Sequence, residues 1–263
     1  MATLLILGED VAHGALVGEL VRRTLLAQAE AQGADWIDEG HLDGQLEWQG
    51  EEALAEVRPG LRYTKSSAAG KKLKLRGWGA RSAGDQFWRS VLAWADLGGA
   101  EGLIVATDGG DGLAEALLQA ARDRAAAPPM APGCATAPLV LAIIWPEAEG
   151  WFVLGFEPTH RAEGARHEAL VRALGFDPLL APHRLSSRPS DAPTDAKRVL
   201  NQLVYGENTS RAVGRDQVGD LVGRCLPSAE RIARSGQACG IQALVAAVQG
   251  ELAPLLGLKP EAP

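Results

Sequence analysis

Three short apolar runs that end abruptly in turn or acidic residues constrain this chain more than any other feature. Residues 3–7 stop at Gly8, and a helix-period segment follows with Leu16, Leu20, Val21, Thr24 and Leu25 on one face. Residues 102–107 stop at Asp108, turn through 108–112, and give way to a second helical pattern over 113–124 with Leu113, Ala116, Leu117 and Ala120 turned inward. Residues 139–144 form the third run. Each is the right length for a strand buried on both faces. Strands that alternate with helices are joined by crossovers, which makes them parallel and covers both faces of the sheet. The chain is therefore expected to be an α/β protein with a central, mainly parallel sheet.

Further helical patterns lie at 162–174, 195–204, 216–225 and 241–252, so the last third reads as mainly helical. The expected division is an α/β core over 1–160 and a helical extension over 161–263. The Ala- and Pro-rich segment 125–138 and residues 186–193 read as surface connections, while 35–60 match no period clearly.

Composition excludes several classes. Apolar residues make up 46% and charged residues 22%, close to the globular average, which fits neither disorder nor a disulfide scaffold. The apolar run 139–145 is far shorter than the roughly 20 residues of a membrane span. Residues 1–7 meet Glu9 and Asp10 at once, without a basic leader, so no signal peptide and no membrane are expected. The cysteines Cys134, Cys225 and Cys239 are odd in number and lack CxxC spacing, which points to a reducing, cytoplasmic compartment.

In open parallel sheets, ligands bind beyond the carboxyl ends of the strands. Here those ends are acidic: Glu9 and Asp10 follow the first run, Asp108 and Asp111 the second, Glu147 and Glu149 the third. Carboxylates at neighbouring strand ends repel one another unless a cation lies among them, and Mg²⁺ or Mn²⁺ takes such oxygens together with phosphate and water. Glu9, Asp108 and Asp111 are the candidate metal ligands, with Glu149 as a further one. Asp111 and Glu147 suit helix capping equally well. Gly109 and Gly110 would let a ligand approach the backbone.

His13, four residues beyond Glu9, is a candidate phosphate contact or proton donor. His41, His160, His167 and His183 form no ligand pattern, and GxSxG, GxxxxGK[ST] and GxGxxG signatures are absent. The net charge of −7 conceals a basic stretch over 62–81, with Arg62, Lys65, Lys71, Lys72, Lys74, Arg76 and Arg81 and no acid. Lys71, Lys72, Lys74, Arg76 and Arg81 are the candidate contacts to a nucleic-acid backbone; a solvated loop is the alternative.

A strand ending in Glu (LLILGED, Glu9) followed by a strand ending in spaced aspartates (LIVATDGGD, Asp108 and Asp111) resembles a Toprim domain, the module of topoisomerases, primases and overcoming-lysogenisation-defect nucleases. Toprim domains space the pair as Asp-x-Asp, and this chain inserts two glycines. The chain also resembles the Toprim-like DUF4276 family, through Glu149-Gly150-Trp151 in PEAEGWFVLGF and Lys197 in TDAKRVLNQL. Gly155 stands near the place of an acidic residue that usually closes the Glu-x-Trp segment. The resemblance implies a Rossmann-like Toprim fold with a mainly helical C-terminal part. It implies metal-dependent nuclease chemistry in phage or mobile-element defence, beside a partner ATPase, with Glu149 and Lys197 joining the catalytic set. The alternatives are a degenerate Toprim-like subunit that binds or regulates within a larger complex, and a small-molecule phosphohydrolase.

Overall fold

Buried Leu, Ile and Val runs form the strands, and their two-residue alternation divides the core. The computed structural model describes residues 4–8, 11–44, 46–49, 92, 101–109, 112–126, 137–187 and 192–260. In chain order the elements are β1 (Leu4–Gly8), α1 (Val11–Ala31), α2 (Glu39–Asp43), β2 (Leu46–Gln49), β3 (Gly102–Asp108), α3 (Gly112–Ala126) and β4 (Leu139–Ile144). There follow α4 (Ala148–Gly155), α5 (Arg161–Leu174), α6 (Ala196–Val204), α7 (Arg215–Cys225), α8 (Ala229–Ser235) and α9 (Ile241–Ala247), which continues through Val248–Leu252 into Ala253–Leu256.

The described strands form one parallel sheet in the order β2-β1-β3-β4. Leu5, Leu7, Leu103 and Val105 point to one face, where Leu92 and Leu117 and Ala120 of α3 pack on them. Leu4, Ile6, Ile104, Ala106, Val140, Ala142 and Ile144 point to the other, under α1 and the C-terminal helices. Parallel strands covered on both sides are apolar throughout, as β1 is. The edge strand β4 instead alternates buried with half-buried positions. The C-terminal helices share one continuous core with the sheet, through residues such as Val199, Leu203, Leu221, Leu244 and Leu252.

Four elements escaped the sequence pattern, the short helix α8 among them. Within 35–60 the chain forms α2, capped by Asp38, whose carboxylate accepts from the His41 N–H at 2.7 Å, and the edge strand β2. The fourth is α4, all eight of whose residues are buried. A helix enclosed on every side shows no amphipathic stripe, so periodicity gives no signal. Trp151, Phe152 and Phe156 fill the centre of the core here, and truncating Phe152 to Ala would cost about 3–5 kcal/mol. No described helix is long and apolar enough to cross a membrane.

Candidate functional site at the carboxyl end of the sheet

Strand parity aims the first residue of the site. Ile104 and Ala106 face α1, and so does Asp108, the last residue of β3 and the register partner of Ile144. His13 is the third residue of α1 and only 2% exposed; its Nε2 lies 2.8 Å from Asp108 Oδ1. A carboxylate can only accept, so the imidazole N–H is the donor. His13 is thus buried against Asp108 rather than placed on the helix surface.

Beyond β4 the chain turns through Trp145 and Pro146 to Glu147, which occupies the N-cap position of α4. Its side chain makes no capping hydrogen bond. Instead its Oε2 accepts from the Lys197 ammonium, while Oε1 is buried and has no hydrogen-bond partner among the described residues. Glu149, in the first turn of α4, is 6% exposed and has Oε2 3.9 Å from the same ammonium. Capping therefore fails to account for Glu147, although the position itself is that of a cap.

Lys197 comes from α6. The helix is started by Asp195, whose carboxylate accepts from the Arg198 N–H and the Ser210 hydroxyl, both at 2.8 Å. A cation in a first helical turn opposes the helix dipole, typically by about 0.3–1 kcal/mol. Lys197 sits there because Glu147 and Glu149 face it.

The charges act on one another. Burial, then the neighbouring Glu149, pushes Glu147 up to about 7, against the hydrogen bond and charge of Lys197. Burial also raises Glu149, with Lys197 pulling the other way. Burial works against the charge on Lys197, but Glu149, Glu147 and Asp108 outweigh it and hold the amine above the usual lysine range. Near neutral pH the lysine is therefore charged and Glu147 is about half protonated. Burial first, and neighbouring negative charge second, let Glu147 and Glu149 hold protons despite the ammonium.

Of the residues considered from sequence, the structure gathers His13, Asp108, Glu147, Glu149 and Lys197. The other two proposed ligands, Glu9 and Asp111, lie outside the described residues, as do Lys71, Lys72, Lys74, Arg76 and Arg81. Gly109 serves packing rather than ligand approach: a Cβ there would lie 2.6 Å from Trp145 Cε3 and 3.3 Å from Ile144 O. Trp151 is a core residue, fully buried, with Nε1–H donating to Cys239 O at 2.9 Å. Gly155 leaves no room for the acid expected near its place, since a Cβ would fall 1.9 Å from Cys225 O. Cys225 and Cys239 are free, buried thiols, and burial pushes Cys225 up to about 12, so neither is a poised nucleophile.

Carboxylate oxygens are the donors that Mg²⁺ and Mn²⁺ prefer, and the buried Oε1 of Glu147 is an oxygen with unmet capacity. The donor set fits a hard divalent cation in its chemistry. Among the described residues, no three His, Cys, Asp or Glu side chains already stand in a metal-binding arrangement.

The class defined by these features is a parallel-sheet α/β protein with a buried polar cluster at the carboxyl end of the sheet. No protein-family model matches the chain, and neither does any curated protein or solved structure.

Proposed function

We propose that the protein is a metal-dependent phosphoryl-transfer enzyme of Toprim type, acting as a nuclease. The observation that supports this best is the convergence of Asp108, Glu147, Glu149, Lys197 and His13 from the ends of β3 and β4 and the starts of α1, α4 and α6. A buried, unbalanced set of charges is costly to folding, and such sets concentrate at functional sites. In this reading Asp108 and Glu149, with Glu9 and Asp111, hold Mg²⁺ or Mn²⁺. The metal supplies activation of water and stabilisation of the leaving oxygen. Lys197 meets the negative charge of the phosphate, and Glu147 holds its ammonium in place. His13 fixes the orientation of Asp108 through its Nε2–H. The basic residues Lys71, Lys72, Lys74, Arg76 and Arg81 contact the phosphate backbone. The resemblance extends the proposal to a cytoplasmic role in phage or mobile-element defence beside a partner ATPase.

Hydrolysis of single-stranded and duplex DNA and RNA, with Mg²⁺ or Mn²⁺ against EDTA, tests the reading. Metal-dependent cleavage that Asp108→Asn abolishes is expected; full activity in Asp108→Asn with Mg²⁺ would overturn the site. Reversing Lys71, Lys72 and Lys74 to Glu should flatten the dependence of log affinity on log salt. The slope should fall by about 0.9 per lost contact on duplex DNA, or about 0.7 on a single strand.

A second reading draws on the Asp108-Gly-Gly-Asp111 spacing and on Lys197 already engaging Glu147 and facing Glu149: a degenerate Toprim-like subunit that binds without turnover. Salt-sensitive nucleic-acid binding with no metal-dependent cleavage would favour it. Turnover of free nucleotides without such binding would favour a small-molecule phosphohydrolase.

A further inference from the structure

Lys197 is held from one side. Among the described residues its ammonium donates one hydrogen bond, to Glu147, while Glu149 Oε2 faces it at 3.9 Å, beyond hydrogen-bonding reach. Asp108 lies close enough for its charge to act on all three groups. The acids and the amine differ in freedom. The Glu147 and Glu149 side chains are 3% and 8% exposed, and both sit at the start of α4, a helix buried throughout. The Lys197 side chain is 27% exposed and carries its charge on a flexible four-carbon stem. The acidic oxygens are therefore fixed in the core, and the ammonium is the partner able to leave. Glu147 Oε1, buried and without a hydrogen-bond partner among the described residues, shows that one ammonium does not satisfy the oxygens around it.

A compact cation facing converging carboxylates does the electrostatic work that a divalent ion would do there. Two cations in one cluster repel each other, and Glu149 cannot serve both at full strength. We infer that Lys197 is the resident cation of this site and competes with a divalent metal ion for the Glu149 carboxylate, so that it sets the metal affinity of the free protein. The inference rests on the metal-dependent reading above and gives Lys197 a role before substrate arrives. In the free protein the ammonium balances part of the acidic cluster. When a metal ion shares Glu149, Lys197 withdraws from that carboxylate and its charge becomes available to the substrate phosphate.

The test is the Mn²⁺ affinity of Lys197 variants, measured by calorimetry without nucleic acid so that no turnover enters the readout. Lys197→Met should bind Mn²⁺ roughly tenfold or more tightly than the wild type. Its melting temperature should also rise further on adding Mn²⁺ than that of the wild type does. Lys197→Gln keeps a hydrogen-bond donor for Glu147 but no charge; it should bind more tightly too, and it carries the comparison if Lys197→Met fails to fold. Lys197→Arg keeps the charge and should bind no more tightly than the wild type. Adding Asp108→Asn to Lys197→Met should abolish the heat, and heat that persists there would overturn the inference by placing the ion elsewhere. A lysine that only packs, or only meets the phosphate, leaves Mn²⁺ affinity unchanged or weakened in both neutral variants. That result would overturn the inference alone, since a wild-type heat lost in Asp108→Asn would still support the metal site. No heat in the wild type or in any variant would bring down the metal reading and the inference together.

Discussion

At the amino end of the sheet, Gly102 opens β3 in a space so apolar and tight that a Cβ would lie 2.6 Å from Leu4 Cδ2 and 2.9 Å from Leu255 Cδ1. At the carboxyl end, Asp108 closes the same strand among two buried glutamates, a lysine and a histidine. The amino end is finished by neutral amides and by the buried Arg124 guanidinium, which donates to Ala137 O at 2.8 Å. Gln28 and Gln32 donate from Nε2 to Lys259 O at 2.7 and 2.8 Å, and the Lys259 N–H returns to Gln32 Oε1 at 2.8 Å, tying the C-terminal tail to α1. Each end leaves one buried oxygen unpartnered among the described residues, Gln28 Oε1 and Glu147 Oε1. The first belongs to a neutral amide and the second to a carboxyl group, whose desolvation is far more costly. One end serves stability; the other keeps charges that work against it. The proposed site rests on that difference.

That contrast breaks if charges at the two ends behave alike. The largest effect is expected at Asp108→Asn and Glu149→Gln. Each should lower metal-dependent cleavage on the order of 10³-fold, while thermal melts stay near wild type or rise, because one repelling charge is gone. Lys197→Met comes next. Removing the ammonium leaves Glu147 and Glu149 buried without a counter-charge, which should cost about 3 kcal/mol in urea unfolding at pH 8. The loss should shrink toward pH 5, where the carboxyl groups can take up protons.

Wild-type stability should itself fall by about 1–2 kcal/mol as pH rises from 4.5 to 7. Glu147 holds its proton more tightly folded than unfolded, so folding is favoured below that window and disfavoured above it. Glu149 acts in the same direction. Lys197 is raised instead, so its contribution is full throughout this range and is lost only at alkaline pH. Glu147→Gln should remove much of the slope, as urea titrations at several pH values would show. The smallest effect belongs to the amino end: Gln32→Ala should cost about 1 kcal/mol, equally at pH 5 and pH 8, with no change in cleavage.

How far the sequence revealed this arrangement depends on what each residue had to signal. The runs that became β1, β3 and β4 were plain because double-sided burial demands unbroken apolar residues, and Asp108 followed from where its run stopped. His13 was visible only as a distance from Glu9, since a three-dimensional crossing, not helix period, brings it to Asp108. Glu147 suited a cap as well as a ligand. Its real role depends on Lys197, 50 residues away, and the one local hint was a lysine in the wrong turn of α6. Burial on all sides hid α4, and the steric need of Trp145 for Gly109 has no sequence signature at all.

The most direct test of a cation-binding site at the carboxyl end is calorimetric titration of the intact protein with Mn²⁺ in the absence of nucleic acid. The account predicts a saturable heat in the wild type, lost in Asp108→Asn and retained in Gln32→Ala. No heat in the wild type, or an undiminished heat in Asp108→Asn, would contradict it.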